Sequence, residues 1–202
     1  HGVVAGLASG HLDLGARCAP MLTRGGPSYG TLGRPEGTLA MTIAAMLFTL
    51  AALIATGLAA GVFYAYATSV MLAFDRLPPQ QAIDAMRIIN VVILNPVFFA
   101  SFLGAVVLLP SAAILAWLSG LAGAAALLLA ATLAYGLGTF GVTIAVNVPL
   151  NEALARLPTP SATPAADWSA FAGRWNRWNR IRAASAALAL LLTGLALLAT
   201  AA

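Results

Sequence analysis

Four long apolar stretches without a single charged residue constrain this fold more than any other feature of the sequence. They cover residues 43–72, 96–118, 121–146 and 183–202. A helix needs about 20 predominantly apolar residues to cross the hydrocarbon core of a bilayer, and a helix satisfies its own backbone hydrogen bonds there. The sequence therefore predicts an all-α fold, a four-helix transmembrane bundle, with a tight hairpin at Ser119-Gly120 between the second and third spans.

The overall composition excludes several classes of protein. Hydrophobic residues make up 61% of the chain and charged residues only 8%, whereas soluble domains have about 25% charged residues. This argues against a conventional soluble enzyme, and the basic residues are too few for a nucleic-acid surface. The uncharged spans also argue against a proton pump or an ion channel. We expect membrane lipids as partners and no nucleic acid.

The first forty residues differ from the rest, since they are rich in Gly and Pro and have no sustained periodicity. Met41 then opens the first apolar run directly. We predict that residues 1–40 are a disordered or non-native N-terminal extension and that residues 41–202 form the membrane domain. A native, flexible tail is the alternative.

The residue types that are missing exclude particular chemistries. Residues 41–202 contain no His, Cys or Lys, because His1, His11 and Cys18 all precede them. Haem, zinc, copper and iron–sulfur sites normally use imidazole or thiolate ligands. A Ser or Cys nucleophile with a His base is excluded as well. We expect no metal and no cofactor.

The arginines indicate an orientation. Seven of the ten arginines lie in the connections between spans one and two and between spans three and four, or directly before the fourth span. In a four-span protein these two connections share one side, and the positive-inside rule makes that side cytoplasmic. We therefore predict an integral protein of a bacterial plasma membrane with both long polar connections in the cytoplasm.

Polar and aromatic side chains gather near that same end. The third span carries polar residues at a spacing of mostly four and ends in Asn147-Val-Pro-Leu-Asn151. An interfacial helix before the fourth span would align Trp175, Trp178, Asn179 and Arg182 on one stripe. We predict a small-molecule pocket with an apolar floor and a polar mouth. Its candidate residues are Tyr64, Asn90, Asn95, Thr143, Asn147, Asn151, Trp175, Trp178, Asn179 and Arg182.

Each candidate also has a purely structural interpretation. Asn95 is suited to capping the helix that begins at Pro96. The tryptophans are suited to the interfacial belt of a membrane protein. A salt bridge from Asp84 or Glu152 to Arg182 would make that arginine structural.

Together these motifs resemble one known family. Asn147-Val-Pro-Leu-Asn151, Trp175-x-x-Trp178-Asn179-x-x-Arg182, the segment 60–71 and Asn95-Pro96 are similar to the anthrone-oxygenase-like family of small four-helix integral membrane proteins, formerly a domain of unknown function. The resemblance covers about residues 43–200. Fungal members are associated with the oxygenation of anthrones to anthraquinones, which implies an oxidoreductase activity here.

The resemblance and the residue chemistry together suggest a division of roles. Asn147, Asn179 and Arg182 would be catalytic by stabilising an enolate oxygen, and the other candidates would bind substrate. Glu152 is the nearest candidate for a base. We expect cofactor-independent oxidation of a lipophilic, anthrone- or quinone-like aromatic. The alternative is a non-enzymatic membrane protein that binds a lipid or a hydrophobic small molecule, or assists a membrane partner.

Overall fold

Five helices follow one another in the computed structural model, which describes residues 36–201. Helix α1 covers residues 36–74, α2 Pro79–Val92, α3 Pro96–Leu118, α4 Ala122–Ala155 and α5 Pro164–Ala201. All except α2 are long and apolar enough to cross a membrane. The predicted all-α, four-span fold of an integral membrane protein is therefore confirmed. The predicted extension lies outside the described residues except for residues 36–40, which form the first turns of α1.

Local signals in the sequence set the start and the end of α3. The Asn95 side-chain oxygen accepts hydrogen bonds from the amides of Val97 and Phe98, both at 3.1 Å, and Pro96 occupies the first turn. Asn95 is thus an N-cap followed by a proline at the position where a missing amide costs least. At the other end the hairpin turns at Gly120, whose φ of 77° is left-handed and suits a residue without a Cβ.

Three π-helical segments widen the helices near the polar end of the bundle. They are Tyr66–Val70 in α1, and Ala134–Gly141 and Thr143–Asn147 in α4. Pro149 lies two positions after Asn147, where the last segment ends, and its missing amide and bulky ring disfavour regular helix in the preceding turn. Polar residues spaced by four remain aligned through α4, where Tyr135, Thr139 and Asn147 are all buried.

Two elements extend the predicted four-span bundle. The interfacial helix predicted before the fourth span is the first half of α5, which continues for 38 residues without a proline beyond its first residue. The connection between the first two spans contains the separate helix α2, whose apolar face buries Ala82, Ile83 and Met86. Both features have the same cause: a second hydrophobic core forms beyond Pro96, where α3 begins.

That second core belongs to a headpiece, which we define as residues 66–92 and 148–175. At about 1.5 Å per residue, the 23 residues of α3 span about 34 Å, close to the thickness of the hydrocarbon core. Helices α1, α4 and α5 are longer and continue beyond Pro96. There they pack with α2 around Met71, Ile83, Leu154, Phe171 and Trp175, among others.

One arginine joins the two polar connections within the headpiece. Arg87 of α2 donates hydrogen bonds to the carbonyl oxygens of Leu154 and Leu157 and to the Thr159 hydroxyl. A cation at a helix C-terminus is also favoured by the helix dipole. The end of α4 and the connection to α5 are thereby held against α2.

Candidate functional site

A cavity of about 100 Å³ lies where the membrane bundle meets the headpiece. Every helix contributes to its wall, and so does the α2–α3 connection. Five of the ten predicted residues line it, namely Asn90, Thr143, Asn151, Trp175 and Arg182. The others that line it are Val62, Phe63, Tyr66, Ile93, Leu94, Phe98 and Val148.

Arg182 forms the floor of this cavity and is only 5% exposed. Its Nη2 donates to the Asn179 side-chain oxygen at 2.9 Å, and its Nη1 donates to the Thr143 hydroxyl at 3.3 Å. The guanidinium carbon lies 4.5 Å from the centre of the Phe63 ring and 5.0 Å from that of Trp175. The cation is therefore held between two aromatic rings, an arrangement that stabilises a desolvated guanidinium.

Within residues 36–201, no carboxylate pairs with Arg182. Asp84 lies 3.7 Å from Arg87, and Glu152 pairs with Arg156 at 2.9 Å. The proposed structural salt bridge to Arg182 is thus wrong, and Glu152 is also absent from the cavity wall. The Arg182 Nε is buried and finds no acceptor in the described part of the chain. A buried, unneutralised cation is costly and marks functional sites in membrane proteins.

Asn179 supports Arg182 instead of lining the cavity. Its side-chain nitrogen donates to the Phe63 carbonyl at 3.1 Å, and its oxygen accepts from Arg182. The side chain is completely buried. One amide therefore joins α5 to α1 and holds the guanidinium.

Asn147 is likewise buried behind the cavity. Its side-chain nitrogen donates to the carbonyl of Trp175 at 3.4 Å. The Trp175 indole in turn donates to the Asn151 side-chain oxygen at 2.9 Å, and its ring packs against Tyr66. Asn147 and Asn151 thus hold the backbone and the indole of Trp175. Of the three predicted catalytic residues, only Arg182 reaches the cavity wall.

Three other predicted residues are not brought to the site. Tyr64 is 65% exposed on the outer surface of α1, Asn95 is used in the helix cap, and Trp178 does not line the cavity. Tyr66 takes the place expected for Tyr64. The buried positions of α1, which run through Ala52, Ala59 and Phe63, would have indicated this, because Tyr66 lies three residues after Phe63 on the same face.

The polarity of the cavity is the reverse of the predicted one. Its most buried lining residues are Phe63, Trp175 and the charged Arg182, whereas the exposed ones are Leu94 and Val148. The expected apolar floor and polar mouth suit a protein surrounded by water. In this cavity the two exposed lining residues are apolar, and the charged group is among the most buried.

An unusually close contact between α4 and α5 positions the hydroxyls around Arg182. A Cβ on Gly138 would lie only 2.5 Å from the Cβ of Ser185, so the helices meet where α4 has no side chain. Just beyond this contact, the Thr139 hydroxyl donates to the Arg182 carbonyl, and Thr143 accepts from its guanidinium. The sequence pattern does not single out Gly138.

In the described part of the chain, no three side chains of His, Cys, Asp or Glu come together as a metal site would need. The polar groups of the cavity wall are a guanidinium, two amides and two hydroxyls, from Arg182, Asn90, Asn151, Thr143 and Tyr66. Such a set favours an oxygen-bearing or anionic ligand.

Comparison with known families agrees with the motifs. Residues 97–192 match the family model of anthrone oxygenase. The predicted resemblance to an anthrone-oxygenase-like family is confirmed. The matched segment includes Phe98, Thr143, Asn151, Trp175 and Arg182, so it contains the charged floor of the cavity. Comparisons with curated proteins and with solved structures found no match.

Proposed function

We propose that this protein oxidises a lipophilic aromatic of the anthrone or quinone-like class at the Arg182 cavity, without a cofactor. One observation carries the proposal: a buried guanidinium, between two aromatic rings, has no carboxylate partner in the described chain. An anthrone enolate is a flat anion with its charge on oxygen. A preorganised cation in a water-poor site stabilises such an oxyanion strongly.

The reaction balances with dioxygen as the only co-substrate. Removal of a proton from the anthrone methylene leaves an enolate, which donates electrons to dioxygen. Overall the CH₂ becomes C=O, one oxygen atom is incorporated, and the other leaves as water with the two methylene hydrogens. Arg182 would favour the first step by binding the enolate oxygen. Tyr66, a hydroxyl on the cavity wall, is our candidate for passing on the proton.

We place the cavity at the cytoplasmic boundary of the membrane. Seven of the ten arginines belong to the headpiece or its connections, or lie directly before the last apolar stretch, and positively charged connections stay in the cytoplasm.

The test uses purified protein in lipid nanodiscs with anthrone and oxygen, and it measures anthraquinone formation. We expect Arg182→Met to lower the rate by about 10²–10³-fold, as does the loss of an oxyanion donor elsewhere. Arg180→Met is the matched control, because Arg180 is exposed two residues away. Circular dichroism verifies that both variants are folded. A wild-type rate equal to the uncatalysed background would contradict the proposal.

Binding without turnover is the second candidate function. The observation that favours it is that, among the described residues, no carboxylate lines the cavity to act as a base. In that case an aromatic or lipid-like ligand would co-purify with the protein and be identified by mass spectrometry, while anthrone would remain unoxidised.

A further inference from the structure

The rim of the cavity opens at the edge of the hydrocarbon core. Leu94 lies in the short connection just before Pro96, where α3 begins. Because α3 is only as long as the core is thick, Leu94 lies near the boundary between acyl chains and head groups. Leu94 is 62% exposed and Val148 is 36% exposed, so the rim of the cavity is apolar and open to its surroundings.

The enclosed space is too small for a whole polycyclic ligand. Its volume of about 100 Å³ is below the roughly 300 Å³ of typical ligand pockets. A flat molecule of three fused rings therefore enters only with one end, and the rest of it lies at the rim.

The two ends of the cavity differ in the chemistry that they offer. The inner end presents the Arg182 guanidinium between aromatic rings, and the outer end presents Leu94 and Val148. We propose that the cavity is a lateral half-site for an aromatic amphiphile. The oxyanion of the ligand (enolate, phenolate or carboxylate) binds at Arg182, and its hydrocarbon body leaves between Leu94 and Val148 into the bilayer.

This inference deepens the proposed function, because it takes its aromatic substrate class from there, but it concerns binding and the entry route alone. The aromatic walls favour a flat body over an acyl chain, since Tyr66, Phe98 and Trp175 all line the cavity. Ring stacking adds to the simple burial of apolar area. A fatty acid also carries a carboxylate but has no flat ring system, so it serves as the competing ligand in the experiments.

The first experiment measures binding of two probes that differ in one group, anthracene-2-carboxylate and anthracene. Full-length protein in phosphatidylcholine nanodiscs is captured, and retained probe is corrected for empty nanodiscs. We expect wild-type protein to retain the carboxylate with at least tenfold higher affinity than anthracene. Arg182→Met should remove that preference, and Arg180→Met should keep it. If the wild-type protein retained both probes equally, that result alone would overturn the proposal that Arg182 binds the oxyanion.

The second experiment tests the rim. Leu94→Trp should weaken retention of anthracene-2-carboxylate at least fivefold, because the indole obstructs the opening. Val91→Trp is the matched control, since Val91 is 73% exposed on α2 and does not line the cavity. Equal retention by the two variants would refute the lateral opening. Displacement of the probe by an equal concentration of dodecanoate would refute the preference for a flat body.

Neither experiment depends on turnover, so the two proposals fail separately. A protein that binds in this pattern and forms no anthraquinone contradicts the proposed function alone. A protein that forms anthraquinone and does not distinguish the two probes contradicts the half-site alone.

Discussion

The contact between Gly138 and Ser185 allows a sharp prediction about stability. In Gly138→Ala the new methyl carbon would lie 2.5 Å from the Ser185 Cβ, whereas carbon atoms pack at about 3.5–4.0 Å. Rotation of the serine cannot relieve this clash, because its Cβ is attached to the backbone. Helices α4 and α5 must therefore separate by about 1 Å or more.

The magnitude follows from two opposing effects. Overpacking of a well-packed interface costs about 1–3 kcal/mol. Replacing a helical glycine by alanine, taken alone, contributes about 0.5–1 kcal/mol of stability. Gly136→Ala isolates the second effect, because a Cβ there would meet nothing within 4 Å. We therefore expect Gly138→Ala to be about 1–3 kcal/mol less stable than Gly136→Ala, or about 2–12 °C lower in Tm.

Thermal unfolding in one detergent, followed by tryptophan fluorescence, measures this difference. The double variant Gly138→Ala/Ser185→Gly removes the atoms that clash and should recover most of the lost stability. The clash should also move Thr143 away from Arg182, so retention of anthracene-2-carboxylate should fall in Gly138→Ala and return in the double variant. Equal Tm values for the two alanine variants would refute the close contact.

Three further substitutions test the packing that supports the site. Asn179→Leu should lower the free energy of unfolding by about 1–3 kcal/mol, because the buried Arg182 guanidinium loses one of its two acceptors; Asn179→Asp, which retains that acceptor, should lose less. Arg87→Met should destabilise the protein by about 1–3 kcal/mol through its lost bonds to the end of α4, whereas the exposed Arg174→Met should stay within about 0.5 kcal/mol. Tyr135→Phe removes one buried hydrogen bond to the Phe102 carbonyl and should cost about 1 kcal/mol. Unfolding measurements in one detergent check all three predictions. An unchanged free energy of unfolding in Arg87→Met would contradict the role of Arg87 in holding the end of α4 against α2.

The sequence predicts the scaffold well, since membrane spans depend on local composition. Pro96–Leu118 is found with the predicted bounds, and Asn95 makes the cap that its position before a proline indicates. The four-residue spacing along α4 correctly predicts a buried polar face that includes Thr139 and Asn147. Each of these features depends on neighbours in the chain or on one helix face.

The candidate site is predicted only in part, because its geometry depends on contacts between distant segments. Asn179 and the Phe63 carbonyl are 116 residues apart in sequence, and their hydrogen bond holds Asn179 behind the cavity wall. Tyr66 replaces Tyr64 because the buried face of α1 continues through Phe63. Glu152 pairs with Arg156 one turn away and does not line the cavity.

By itself, the sequence determines that this chain forms four membrane-spanning helices and that its arginines and amides concentrate at one end of them. Those properties follow from how many apolar residues stand in a row. Only the tertiary structure decides that Arg182 is enclosed between Phe63 and Trp175 without a carboxylate partner in the described chain, and that the rim at Leu94 is apolar. The physical reason is that burial and pairing depend on which helices meet. At Gly138 the absence of a Cβ allows α4 to meet α5 closely.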